Sequence, residues 1–401
     1  MSAWSATKLT WCDPTLCCLT NQGIWVNSPL GALSSSDMSA VHERSMYRRH
    51  MAEGRLADPD CSLGTDPRSD PRMVAALAQF GLDANMPAVP LTIDAPLEER
   101  LAYAEMCEAG IGAVLDAFAS GVPDADGVTT TTTTITGEDG NDVTLYISRP
   151  DVDGPLPAVV HLHGGGMAIA SAADTMYSRI REYLAGTGLV VVGVEFRNSG
   201  GKLGPHTFPA GLNDCASGVR WVAAHRAELG VSHLIVAGES GGGNLTLTVG
   251  HKAKREGWLH EIAGFYAQCP YISNRWHEVP DELPSLRECD GYFINLQQAE
   301  LLGSIYDPDG AHSDDPTCFA GVATDDDLSG LPPHVISVNE LDPMRDEGLD
   351  YYRRLVRAGV PAVGRVVAGT CHGGDMLFAG VMPDVFAASV RDLAGFAKGL
   401  G

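Results

Sequence analysis

Residues 231–247, V-S-H-L-I-V-A-G-E-S-G-G-G-N-L-T-L, narrow the choice of fold more than any other stretch of the chain. Leu234, Ile235, Val236 and Ala237 form a short apolar run suited to a strand buried on both faces. A glycine turn follows, and the pattern after it is helical. Gly238 to Gly242 read G-E-S-G-G and fit G-x-S-x-G, the strand–turn–helix in which a serine is pushed out of the fold. Neighbours two positions to either side of that serine must lack a Cβ, which Gly238 and Gly242 satisfy. Ser240 is therefore the candidate nucleophile, and Gly241 directly after it can offer its N–H to a developing oxyanion. A plain serine in a glycine-rich loop is the competing reading of the pentapeptide alone; the strand before it and the helix after it favour the nucleophile.

Elsewhere apolar runs alternate with helical patterns. Runs at Ala158 to Leu162, Leu189 to Phe196, Ile262 to Ala267, Val335 to Val338 and Val363 to Val367 are separated by helical periodicity near 173–186, 209–229, 242–257, 344–358 and 383–398. Such alternation predicts an α/β fold, a mostly parallel central sheet with helices on both faces. Thr129 to Thr134 read either as low complexity or, with the turn at Glu138 to Asn141, as the first arm of a hairpin running into Val143 to Ser148. Asp70 and Pro71 open a helix carrying Met73, Leu77 and Phe80, and a second helix over about 96–119 has Leu97, Leu101, Ala104, Ile111 and Leu115 as its apolar stripe. The gap from Pro270 to Pro333 is too long for a plain connection and reads as a lid insertion. These signals divide the chain into a poorly ordered N-terminal extension over 1–69, a helical lid segment over 70–127, and a catalytic domain over 128–401 with its lid insertion at 270–333. Met38 and Met46 are candidates for alternative starts within the extension.

Charge and cysteine usage remove several classes of function. Lys plus Arg number 27 against 51 Asp plus Glu, a formal charge of −24, which argues against nucleic acid and anionic membrane surfaces as partners. No apolar run is long enough for a transmembrane helix. The ten cysteines include no C-x-x-C pair, so neither a zinc site nor a redox motif is indicated. Asp13 and Pro14 break the stretch that a signal peptide would need, and the expected location is cytoplasmic. The motifs of zincins, P-loop enzymes and dinucleotide binders are missing from the sequence.

His163-Gly164-Gly165-Gly166 directly follows the run ending at Leu162. Three glycines at a strand end bare backbone N–H groups to a ligand, which suits an oxyanion hole completed by Gly241; a tight turn or phosphate nest is the alternative. A serine nucleophile also needs a base and an orienting acid, in the order Ser, Asp, His for this architecture. Asp342 ends the strand near Val335 to Asn339, and His372 follows the last strand, so both stand at the same sheet edge as Ser240. Asp346 is the rival acid, but it lies one helical turn further in and points elsewhere.

Taken together, H-G-G-G at 163–166, G-E-S-G-G-G-N at 238–244, E-L-D-P-M-R-D-E-G at 340–348 and the histidine in C-H-G-G-D resemble the hormone-sensitive-lipase-like family of α/β-hydrolases. The resemblance runs from about Asp70 to Leu400 and takes in L-P-S-L-R-E-C-D-G-Y-F at 283–293. Many relatives carry G-D-S-A-G-G, so Glu239 and Gly241 stand here for Asp and Ala. The resemblance implies an α/β-hydrolase fold and a serine carboxylesterase with Ser240 as nucleophile, His372 as base, Asp342 as its orienting acid, and Gly164, Gly165 and Gly241 as oxyanion donors. It implies a small-molecule ester as substrate, short-acyl esters or lactones with a bulky alcohol part among them, and neither cofactor nor metal. Met167, Tyr292 and Phe293 are candidate walls of the substrate pocket. A non-hydrolytic small-molecule-binding protein and an amidase or peptidase on the same fold are the alternatives, and a homodimer is compatible with the sequence.

Overall fold

Strand pairing follows from the alternation of β-branched runs with amphipathic helices. The computed structural model describes residues 54–274, 276 and 279–401. Eight strands form one sheet: β1 (Val128–Thr136), β2 (Asp142–Pro150), β3 (Leu156–Leu162), β4 (Val190–Glu195), β5 (Val231–Glu239), β6 (Gly264–Gln268), β7 (His334–Leu341) and β8 (Ala362–Cys371), in the spatial order β1-β2-β4-β3-β5-β6-β7-β8. The threonine run is the edge arm of an antiparallel hairpin, with Ile135 opposite Val143, and β2 also pairs antiparallel with β4. Every later pairing is parallel. Threonine suits that edge because its branched side chain favours extended backbone while its hydroxyl faces water.

Eight of the helices matter for the site: α1 (Pro71–Ala78), α2 (Leu97–Ala119), α3 (Thr175–Gly186), α4 (Ala210–Ala224), α5 (Gly241–Glu256), α6 (Leu296–Tyr306), α7 (Arg345–Arg357) and α8 (Pro383–Gly399). The period of two along the strands sorts the core into layers. Val159, Val191, Ile235 and Ala237 share one cluster with Ile180 and Leu184 of α3 and Phe386 and Val390 of α8. Their neighbours Ala158, Val160, Val192 and Val236 share another with Leu212 and Val219 of α4 and Leu245 and Val249 of α5. With both faces covered, the strand ends are left as the place where polar side chains collect.

Asp70 caps α1 by accepting from the Arg72 N–H at 2.9 Å, as its place before Pro71 predicts. The stripe expected along α2 is displaced. Ala104 and Leu115 are buried, but Leu97 is 41% exposed, and Arg100, Val114 and Phe118 take the buried positions. Arg100 reaches Ser304 of α6, donating to its carbonyl at 2.7 Å and to its hydroxyl at 2.9 Å.

Of the extension expected over 1–69, residues 1–53 lie outside the described residues. Residues 54–69 are folded, which moves that boundary. Leu63 is buried in the core, and Asp66 accepts from the Tyr292 hydroxyl at 3.2 Å. Arg68 bridges Asp66 at 2.8 Å and Glu288 at 2.9 Å, tying these residues to the insertion. Among the described residues no helix is long and apolar enough to cross a membrane.

Candidate active site

The turn between β5 and α5 holds Ser240 at φ 55° and ψ −120°, a backbone region that side chains rarely adopt. Its flanking glycines are required by contact rather than by their own torsions. A Cβ on Gly238 would sit 2.4 Å from the Leu162 carbonyl oxygen, and one on Gly242 would sit 2.0 Å from that same oxygen. The turn is pinned from the next strand as well, since the Ser240 N–H donates to the Gln268 carbonyl at 2.9 Å.

Three side chains from three strand ends meet there. His372, just after β8, places Nε2 at 2.8 Å from Ser240 Oγ and Nδ1 at 2.9 Å from Asp342 Oδ2. Asp342, just after β7, is fully buried, and its other oxygen accepts the Met344 N–H at 2.8 Å. The rival Asp346 faces away. It accepts the Ser285 N–H at 2.8 Å and pairs with Arg345 at 2.9 Å. The loop carrying His372 is held by residues that the sequence does not single out: Asn339 accepts the Gly373 N–H at 3.0 Å and donates to Asp375 at 2.9 Å.

Gly164 departs from its expected role. Its N–H is taken by Glu239 Oε1 at 3.2 Å, while the other oxygen of Glu239 meets His161 Nε2 at 3.0 Å. Its carbonyl is taken too, by His163 Nδ1 at 2.7 Å, and the His163 ring stacks on Phe196 with centroids 4.1 Å apart. Burial holds the His163 imidazole below its ordinary pKa and therefore neutral, with Nδ1–H as the donor. Because the peptide is planar and trans, fixing the Gly164 carbonyl turns the Gly165 N–H the opposite way. The N–H groups of Gly165, Gly166 and Gly241 have no partner among the described residues. Glu239 gave no sequence signal beyond its place in the pentapeptide, since its partners lie across the sheet on β3.

Ser240, His372, Gly165 and Gly166 open onto a cavity of about 540 Å³. Its walls are mostly apolar: Phe80, Leu82 and Met86 after α1, Ile111 and Val114 of α2, Ile169, Phe293, Leu302 of α6 and Leu377. Tyr177 adds a polar point, its phenol pushed well up by burial and then by the nearby Glu239 charge, so it stays a donor. Of the three expected wall residues only Phe293 lines this space. Met167 is buried in the core with its sulfur 3.9 Å from Asn244 Nδ2, because its φ of 58° turns the chain inward after Gly166. Tyr292 is also buried, with Arg55 over its ring at 4.5 Å. Among the described residues one group of metal-ligating side chains comes together, Cys269 with Asp342 and His372.

A family model described as the alpha/beta hydrolase fold matches residues 159–375. Brefeldin A esterase, described as a bacterial homologue of human hormone sensitive lipase, superposes with a TM-score of 0.84 at 46% identity, covering 87% of this chain and 99% of that one. Carboxylesterase NlhH of Mycobacterium tuberculosis is 34% identical over 262 residues, 63% of this chain and 76% of the relative. Esterase LipI of the same organism is 30% identical over 242 residues, 59% of this chain and 71% of the relative. With the nucleophile turn, the glycine loop and the sheet order already in place, the chain belongs to the hormone-sensitive-lipase-like branch of the α/β-hydrolase family.

Proposed function

We propose that the chain is a serine carboxylesterase working through an acyl-enzyme, with Ser240 as nucleophile, His372 as base and Asp342 as the group that orients it. The observation that carries this is the unbroken relay from Asp342 through His372 to Ser240, at 2.9 and 2.8 Å, opening on an apolar cavity. His372 Nε2 takes the Ser240 proton as Oγ attacks the ester carbonyl, and Asp342 balances the imidazolium charge. The proton then passes to the leaving alkoxide. Water repeats the cycle on the acyl-enzyme and frees the acid. The oxyanion falls to the N–H groups of Gly165, Gly166 and Gly241, each donor being worth roughly 3 to 4 kcal/mol in the transition state.

A cavity of about 540 Å³ is of the size that encloses a drug-sized molecule, which supports esters with a sizeable apolar part. The two lid segments, 70–127 and 270–333, both contribute to its walls, which supports reading them as one substrate-binding cap on the catalytic domain. Seven unpaired cysteines among the described residues support a reducing, cytoplasmic location.

The test is Ser240→Ala assayed on p-nitrophenyl esters and p-nitroanilides side by side. Wild type should turn over the esters and leave the anilides nearly untouched, and the variant should lose on the order of 10⁶ in kcat. A variant keeping a tenth of the wild-type rate removes Ser240 as nucleophile, and equal rates on ester and anilide would make the chain an amidase.

A further inference from the structure

Cys269 directly follows β6 and lies against the same relay. Its Sγ, a carboxylate oxygen of Asp342 and a ring nitrogen of His372 all lie within 4.8 Å of one another, and all three residues are buried. Thiolate, imidazole and carboxylate are the ligands that zinc takes in tetrahedral sites, at bond lengths of about 2.0 to 2.3 Å. Cys269 is fixed in place, with φ at 34° and its N–H donated to the Ser337 carbonyl at 2.7 Å. The charge around it also favours a cation. The carboxylates of Asp342, Asp375 and Glu239 all act on it electrostatically. His372 lines the cavity, so an ion arrives by the substrate's own path.

We propose that Cys269, Asp342 and His372 form an inhibitory site for a thiophilic divalent cation such as zinc or cadmium. The Cys269 thiol loses its proton to solvent as sulfur binds the ion. Asp342 gives up its hydrogen bond and binds through a carboxylate oxygen. The proton on His372 Nδ1 moves to Nε2, freeing Nδ1 as the third ligand, and a water completes the tetrahedron. The imidazole stays neutral, so one proton leaves for each ion bound. Nε2 then carries a hydrogen toward Ser240 Oγ and cannot accept the serine proton. That inhibition rests on His372 being the base, whereas the binding does not.

Cadmium added to the chelator-treated full chain reads both. The expected result is a thiolate-to-cadmium absorption saturating at one equivalent, one proton released by calorimetry in two buffers, and hydrolysis lost at the same midpoint and restored by chelator. Cys269→Ser and Cys269→Ala should keep ester hydrolysis, lose the absorption, and need roughly a hundredfold more cadmium for inhibition. Cys107 lines the cavity and is only partly buried, so Cys107→Ser is the control and should change neither readout. No absorption in wild type overturns the site and leaves the esterase reading standing. Inhibition that persists in both Cys269 variants, or vanishes in Cys107→Ser, also overturns it. Absorption at Cys269 with undiminished hydrolysis overturns the inhibitory role and counts against His372 as base.

Discussion

Asp342 and Asp346 are one helical turn apart and sit in opposite surroundings. Among the described residues the Asp342 carboxylate meets His372 and the Met344 N–H, whereas Asp346 is spent on Ser285 and Arg345. Asp342→Asn is expected to lower kcat by about 10⁴, because an amide favours the wrong imidazole tautomer. Asp346→Asn should leave kcat within a few-fold; a larger loss than that of Asp342→Asn would reverse the assignment. Gly241 yields a sharper test. A Cβ there would lie 2.6 Å from both the Gly166 and Met167 nitrogens, so Gly241→Ala must push away the loop proposed to hold the oxyanion. A fall in kcat of roughly 10- to 100-fold with little change in KM is expected, and unchanged kinetics would mean that the loop yields freely. Ser240, Asp342 and His372 could be read from the sequence because each sits in a short motif at a strand end. Glu239 and Asn339 could not, since what they hold is brought near only by the sheet: Glu239 binds Gly164, 75 positions away, and Asn339 binds Gly373, 34 positions away.

At the scale of elements, the strands were legible because fully buried strands are nearly continuous apolar runs, and the misreadings fall where burial is not the whole story. Helix α2 is the example. Tyr103, Met106, Cys107, Ile111 and Val114 line the cavity, so part of its apolar surface faces that space instead of protein, and no single stripe marks its buried side. Helix α7 carries the opposite case, a carboxyl inside the fold. Glu347 accepts from Trp276 Nε1 at 3.0 Å and is raised by burial to about 7. Between the ordinary Glu pKa and 7 the folded chain holds a proton that the unfolded chain has lost, so stability falls as pH rises through this window. The total is roughly 3 kcal/mol. Glu347→Gln keeps an acceptor for Trp276 and removes the titration. The wild-type Tm should therefore drop relative to the variant between about pH 4.5 and 8, and parallel Tm curves would rule the linkage out.

The molecule as a whole is closed by segments far apart in sequence. Residues before β1 supply Phe80, Leu82, Met86 and the α2 residues to the cavity, and Met73, Leu77, Val114 and Phe118 to the core. Each such buried side chain is worth about 1.5 to 3 kcal/mol. A chain begun at Gly127 is accordingly expected to aggregate on gel filtration and to lose most of its kcat/KM. A monodisperse truncated chain with wild-type kcat/KM would show that the helices before β1 are dispensable. Helix α1 could be read from its Asp70 cap and its periodicity. Residues 54–69 could not, because beyond one helical turn at Gly54–Ala57 they are irregular backbone, held by Asp66 and Arg68 to residues more than two hundred positions away. The position of His372 at the end of β8 bears on time as well as on space. β8 is an edge strand paired with β7, and the chain is synthesised from its N-terminus. A nascent chain thus carries its proposed nucleophile and most of its cavity wall before its proposed base has been made, and on that reading it stays chemically silent until the far edge of the sheet closes. In refolding, hydrolysis is expected to return no earlier than the docking of β8, a clock for the completion of the fold.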